Sequence, residues 1–249
     1  MIKNSFAVSI LLLFSTICNA QIFKIKALDG TNQQVGFYHE LGDHKLVIRS
    51  LKDSIIIDDF MDLRKDIFIL KERFLAIYYG ILIGSDQSRE RLLLLCINNG
   101  KLCQALHVVS LSTYDIVDVY NKKVDSLKLF DEHENYEIKV NLIGEDKEHY
   151  KLNIKIHDQS KSKRDHIADH DYNKLEVLSF DANHSVFYNA HKEISKYFTV
   201  YDPKTQKNTK QFLMGTFPTI ELGVFNYYFI HNDWHEEGED DNLLKYTYK

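Results

Sequence analysis

The sequence predicts an all-β, predominantly antiparallel protein, a meander or sandwich, and three observations carry that prediction. Short runs rich in β-branched and aromatic residues recur along the chain between turn-forming residues. Two segments, Tyr136 to Leu142 and Tyr150 to Ile156, alternate apolar and polar residues with a period of two. Asn99-Gly100 separates two apolar runs and is the dipeptide that most readily takes the paired positive φ angles of a type I′ turn. A degenerate propeller is the alternative, because strand-turn-strand pieces continue along the whole chain; no motif recurs in register at blade length.

Residues 1–20 read as a secretory signal peptide: Lys3, an apolar segment from Phe6 to Phe14, then Asn19-Ala20 as the cleavage point, leaving Gln21 as the new N-terminus. The apolar segment is shorter than the roughly 20 residues a spanning helix needs, so no transmembrane segment is expected in the mature chain. Residues 21–235 read as one β-rich domain, since no Pro-rich or Gly/Ser-rich linker interrupts them and the whole chain holds 2 prolines and 10 glycines. Residues 236–249 read as an acidic, flexible tail.

Within that domain Ile22 to Leu28, Gln34 to His39, Lys45 to Leu51 and Ser54 to Ile57 form a meander of strands. Asp58 to Lys65 breaks the pattern as a helical turn or an irregular corner. Phe74 to Ile83 and Leu92 to Ile97 are apolar on both faces, which places two neighbouring strands in the middle of the core. In the Asn99-Gly100 register Cys96 lies opposite Cys103. Residues 112–130 carry apolar side chains at spacings of three and four and predict one short helix. Two alternating strands follow, packed as an outer layer, and Asp158 to Asn173 reads as a polar loop. Strands resume at Leu175 to Phe180, Val186 to Ala190, Lys196 to Tyr201, Thr219 to Leu222 and Val224 to His231.

Composition excludes some classes. Lys and Arg number 31 against 36 Asp and Glu, a net charge of −5, so the basic footprint of a nucleic-acid binder is missing. Hydrophobic residues at 44% make the chain globular and not disordered. With Cys18 in the signal segment, Cys96 and Cys103 are the two thiols left, and export into an oxidising compartment predicts a disulfide between them. The competing expectation is a pair of buried thiols, because a direct cross-strand bridge closes a short loop and is strained.

Catalytic signatures are weak. His166 and His170 are four apart in RDHIADHD, half of a metal site if helical, but chelation needs fixed ligands and these lie in a polar loop, so no metal is expected. His231 and His235 repeat the spacing in an extended segment. His39 and His44 are five apart with Gly42 between, which fails the metalloprotease helix motif. His107 alternates with Cys103 and would share its face, a conceivable Cys-His pair. Phe225, Tyr227, Tyr228, Phe229 and Trp234 suggest either a sugar-stacking platform or core packing, with core packing preferred.

The Lys-, Asn-, Ile-, Tyr- and Phe-rich texture behind the signal segment resembles exported proteins of AT-rich Gram-negative bacteria. The expected function is that of an exported binding or structural module of the envelope or periplasm, with a protein or glycan partner and no cofactor. The alternative is a secreted hydrolase whose acidic residues meet only in the fold. Convergent polar groups in a well-formed pocket would favour the hydrolase; a flat exposed apolar patch would favour binding.

Overall fold

The structure is a computed structural model that describes residues 21–40, 44–58, 60–81, 87–116, 132–144, 149–162, 169–202, 207–237 and 243–245. Among them are eighteen strands in three sheets and no helix. All strand pairs are antiparallel except one. The fold is therefore all-β, as expected, and the sheets show no propeller arrangement.

The first sheet is the predicted N-terminal meander: β1 (Gln21–Lys26), β2 (Asn32–Glu40), β3 (Lys45–Arg49) and β4 (Ser54–Ile57), in that order. The second begins with β5 (Phe60–Leu63), β6 (Phe68–Leu70) and β7 (Phe74–Ile81). β5 corrects the expected helical turn in residues 58–65: Phe60 is buried and the segment pairs with β7 across a register shift. It continues through β8 (Gln87–Asn98), β9 (Lys101–Ile116), β10 (Glu132–Ile143), β11 (Lys151–Ser162), β12 (His170–Asp181) and β13 (Val186–Tyr188). The third holds β14 (Ala190–Asp202), β15 (Lys207–Leu222), β16 (Phe225–Ile230), β17 (Asp233–Glu236) and β18 (Leu243–Lys245), the last parallel to β14.

The β8–β9 hairpin has the predicted register, with Asn98 opposite Lys101 and Cys96 opposite Cys103. Asn99 and Gly100 both have positive φ, 52° and 79°. β7 and β8 are buried on both faces, and the physical reason is visible in the two cores they serve. Leu75, Ile77, Tyr79, Leu93, Leu95 and Ile97 face the first sheet, whose Ile25, Val35, Phe37 and Ile48 close that core. Phe74, Ala76, Tyr78, Leu92 and Leu94 face the other way. There the central sheet folds over on itself: Phe74 meets Tyr150, Phe180 and Phe187 at ring separations of 5.2, 5.6 and 5.4 Å. Alternation in β10 and β11 pairs Ile138 with Ile156, Val140 with Ile154 and Leu142 with Leu152.

β9 and β10 pair only where residues 111–116 meet 132–137, then separate. The third sheet occupies that fork. The Trp234 indole Nε1 donates to Gln104 O at 3.0 Å, Val109 N donates to the Tyr227 hydroxyl at 2.9 Å, and the Tyr136 hydroxyl donates to Leu222 O at 3.2 Å. Two bulges in β9, at Ala105 and Ser110, disrupt the ladder with β8 at the same places. Side chains from β16 and β17 thus bond backbone groups beside each bulge.

Three further expectations are corrected. Residues 112–116 belong to β9, where Ser112, Thr113 and Tyr114 suit a strand; the rest of the predicted helix, 117–130, lies outside the described residues. Most described residues of the expected loop from Asp158 to Asn173 are strand, with Asp158 paired to Tyr172 and Ser160 to His170; residues 163–168 lie outside the description. The acidic tail is structured at its start, because Glu236 is buried at the end of β17 and Glu237 accepts from the Tyr228 hydroxyl. Ala20, on the expected cleavage bond, lies outside the described residues, and Gln21 opens β1.

Candidate binding surface and polar cluster

One cross-strand row brings several polar side chains together around the buried Asp158. Arg89 lies opposite Ser112, Ser112 opposite Tyr136, Tyr136 opposite Asp158, and Asp158 opposite Tyr172. Direct partners share a face, so five strands present these side chains side by side toward the fork. Glu236 comes in from β17. Arg91 Nη2 donates to its Oε2 at 3.1 Å and Arg89 Nη1 to its Oε1 at 3.4 Å, with all three side chains largely enclosed. The Arg89 guanidinium also lies 5.5 Å from the Phe225 ring centre.

Asp158 is the second buried carboxylate. A carboxylate only accepts, so His170 Nε2, at 3.2 Å from Oδ1, carries the proton. Burial pushes the Tyr172 hydroxyl up to about 12, with its hydrogen bond to Asp158 adding to the shift. Burial also raises Tyr136, helped by Tyr172 and Asp158. These phenols stay protonated and serve as neutral donors. Glu236 is held on both oxygens by guanidinium groups. The cluster is thus a mutually neutralised network at the mouth of the folded-over sheet.

The candidate histidines are dispersed. His170 is bound to Asp158, while His166 lies outside the described residues. His231 occupies the turn before β17 with positive φ, and His235 is in β17. His39 lies in β2 with its ring 5.0 Å from Phe60. No group of three or more His, Cys, Asp or Glu suited to a metal occurs among the described residues.

His107 does not share a face with Cys103. The bulge at Ala105 inserts one residue, so Cys103 pairs with Cys96 while His107 pairs with Leu93, on the opposite face. His107 Nε2 lies 2.6 Å from the Tyr79 hydroxyl, and burial first, then Arg91, pulls its pKa down to about 3. Cys103 and His107 therefore do not form a Cys-His pair, and His107 is a buried core histidine bonded to Tyr79. Cys96 and Cys103 are adjacent but free thiols, not the expected disulfide. The hydrogen-bonded register makes a direct bridge strained, and each thiol lies against a carbonyl, Cys96 Sγ 3.9 Å from Ser185 O and Cys103 Sγ 3.7 Å from Lys101 O.

Of the aromatic cluster, Tyr227, Tyr228, Phe229 and Trp234 are buried, and Phe225 packs its ring 4.7 Å from that of Tyr136. Core packing is their use. Exposed large apolar side chains occur on several elements among the described residues, and three of them line up on the β14–β15 ribbon. Tyr197, Phe212 and Met214 are 65%, 51% and 77% exposed, and Tyr197 is the direct partner of Phe212. Their ring centres are 5.0 Å apart with planes tilted by 54°. The opposite face of the ribbon buries Ile194, Phe198 and Val200 with Tyr228 and Ile230. β16 pairs with β15 only from Thr219 on, so among the described residues the edge from Lys207 to Pro218 has no strand beside it. The run of consecutive apolar residues Phe212-Leu213-Met214 is the sequence signal for this face.

No helix among the described residues is long and apolar enough to cross a membrane. Comparison with models of protein families, with curated protein sequences and with solved structures finds no match to this chain.

Proposed function

We propose that this protein is an exported binding module of the bacterial envelope or periplasm that takes an extended segment of a protein partner along the β14–β15 ribbon. The observation that carries the reading is the exposed row of Tyr197, Phe212 and Met214 beside the open edge of β15. Such an edge offers main-chain donors and acceptors to an added strand, and the apolar row offers contacts to its alternate side chains. The tilted Tyr197–Phe212 pair suits aliphatic and aromatic side chains better than the flat face of a sugar ring. Export is supported by the order of charge, apolar segment and small residue in residues 1–20.

The hydrolase reading has less support. Glu236 has both oxygens held by arginines, and Asp158 is engaged by His170.

The test is site-specific photo-crosslinking in envelope-bearing cells, with the crosslinker placed at Met214 and, as control, at Val224, which is 62% exposed but off the ribbon. One discrete protein adduct from position 214, absent from 224 and lost with Phe212→Asp, is expected. Equal labelling at both positions, or none at 214, would overturn the ribbon as the binding surface. Recovery of the protein in the cytoplasm with residues 1–20 attached would overturn export.

A further inference from the structure

The two thiols of the β8–β9 hairpin are neighbours with unlike surroundings. They are direct partners at a hydrogen-bonded position of the ladder, where Cα atoms stand about 5.5 Å apart, within the span of a disulfide. Cys96 is fully enclosed, and its Sγ lies 3.9 Å from Ser185 O in the β12–β13 turn. Cys103 is partly exposed, with its Sγ 3.7 Å from Lys101 O. The Ser185 hydroxyl accepts from Asn98 Nδ2 at 2.9 Å, which leaves its own proton free to point at Cys103. Cys103 is therefore the accessible sulfur, with the Ser185 hydroxyl beside it, and Cys96 is the enclosed one behind it.

We propose that Cys96 and Cys103 form a redox-active dithiol that exchanges with disulfide substrates, Cys103 attacking first and Cys96 resolving. The Cys103 thiolate forms a bond to one sulfur of a substrate RSSR, the S–S bond of the substrate breaks, and the first RS⁻ leaves with the proton Cys103 had lost. Cys96 then attacks the Cys103 sulfur as its own proton passes to the second departing RS⁻. The dithiol loses two electrons and two protons, and RSSR becomes two RSH.

The ionisation of the two sulfurs follows the same asymmetry. Hydrogen bonding from Cys96, opposed by burial and aided by Ser185, brings Cys103 down to about 7, whereas Cys96 is pushed well above the ordinary thiol value. A thiol titrating near ambient pH is close to the optimum for attack. The bridge so formed would join direct cross-strand partners and close a short loop, so loop entropy adds little to its stability and strain favours its reduction. A pair of this kind cycles, where a structural disulfide stays closed.

The experiment uses the full chain carrying Cys18→Ser, so that only these two thiols report, with 5,5′-dithiobis(2-nitrobenzoate) as the disulfide probe under native conditions. The dithiol protein is expected to release two thionitrobenzoate equivalents per chain and to retain no adduct by intact mass. Cys96→Ser should stop at the mixed disulfide, releasing one equivalent. Cys103→Ser should react at least about tenfold more slowly than Cys96→Ser at pH 7, as its remaining thiol is enclosed and protonated. Cys96→Ala removes the donor to Cys103 and should move the inflection of its rate upward in pH, while Cys96→Ser, which keeps a hydroxyl donor, should hold it near 7. Millimolar reduced glutathione should reopen the oxidised pair without unfolding, as followed by circular dichroism. Equal rates for the two single variants, a retained adduct on the dithiol protein, or a bridge that opens only in denaturant would overturn the proposal.

Discussion

At the scale of the residue, the most consequential side chains are buried polar groups whose partners lie far away in sequence. Glu236 meets Arg89 and Arg91 across 147 and 145 positions. Removing one member of an enclosed ion pair leaves the others uncompensated, so Glu236→Gln is expected to cost about 3 kcal/mol in the unfolding free energy, read by denaturant titration. His107 gives a pH-dependent prediction. The folded state holds it neutral down to about 3, whereas its ordinary value is 6.5. Below pH 6.5 the unfolded chain takes up a proton that the folded protein refuses. Stability should therefore fall as pH drops from 6.5 toward 3, by up to about 1.4 kcal/mol per pH unit from this group, and be unaffected by it at higher pH. His107→Gln, which can still bond the Tyr79 hydroxyl, should flatten stability between pH 6.5 and 4.5; an unchanged slope would refute this. Neither site was legible in the sequence. Arg89 and Arg91 stand ahead of the apolar run from Leu92 and Glu236 reads as tail, and nothing local encodes their meeting. Simple alternation puts His107 on the wrong face because one bulge residue, Ala105, reverses the side chains from there to the second bulge at Ser110.

At the scale of the element, the legible parts are those whose signal is local. Asn99-Gly100 encodes its turn in two residues, and from it the pairing of Cys96 with Cys103 follows by counting. The alternation of β10 and β11 fixes which side chains meet. The elements missed are those that tertiary contacts decide. Residues 112–116 precede the helix-compatible spacing of the segment 112–130, and β10 and β8 on either side hold them as strand. Asp158 to Ser162 and His170 to Asn173 are polar enough to read as loop, but they pair with each other at the polar end of the folded sheet. The bulges of β9 make a testable case of such tertiary support. Tyr227 accepts from Val109 N beside the bulge at Ser110. Tyr227→Phe keeps the ring and its packing but leaves that buried N–H unmet, and should cost about 1–3 kcal/mol. Tyr227→Phe matching the wild-type denaturation midpoint would show that the bulge needs no such support. Gly144, at φ 92° after β10, sits where a Cβ would run into His149 O. Gly144→Ala should therefore destabilise through both strain and contact, in the same assay.

At the scale of the whole molecule, the doubly apolar strands β7 and β8 explain how three sheets share one stability. Leu93 belongs to the core under the first sheet and Leu94 to the core inside the folded central sheet, where Trp234 of the third sheet also packs. One strand thus supplies both cores through alternate side chains, and neither core can be lost without exposing the backbone that holds the other. Leu93→Ala and Leu94→Ala should each destabilise by about 2–5 kcal/mol, as large-to-small changes in closed cores do. Both should lower one common unfolding transition. The single tryptophan, Trp234, reports from the third-sheet side, on the far face of β8 from Leu93. If sheets and cores are coupled through β7 and β8, its fluorescence and the far-ultraviolet circular dichroism will move together in both variants. A Leu93→Ala protein in which the dichroism changes first, with Trp234 unmoved, would mean that the N-terminal meander unfolds on its own. The distal β14–β15 ribbon is the expected exception. Its small core of Ile194, Phe198, Val200, Tyr228 and Ile230 is separate from the other two. Its outer strand edge from Lys207 to Pro218 has no described strand beside it. Amides of residues 207–214 should therefore exchange with solvent through local opening, well before those of residues 92–97, which should wait for global unfolding. Protection of the ribbon equal to that of β8 would show that it is held as firmly as the core, and would count against an edge held ready for an added strand.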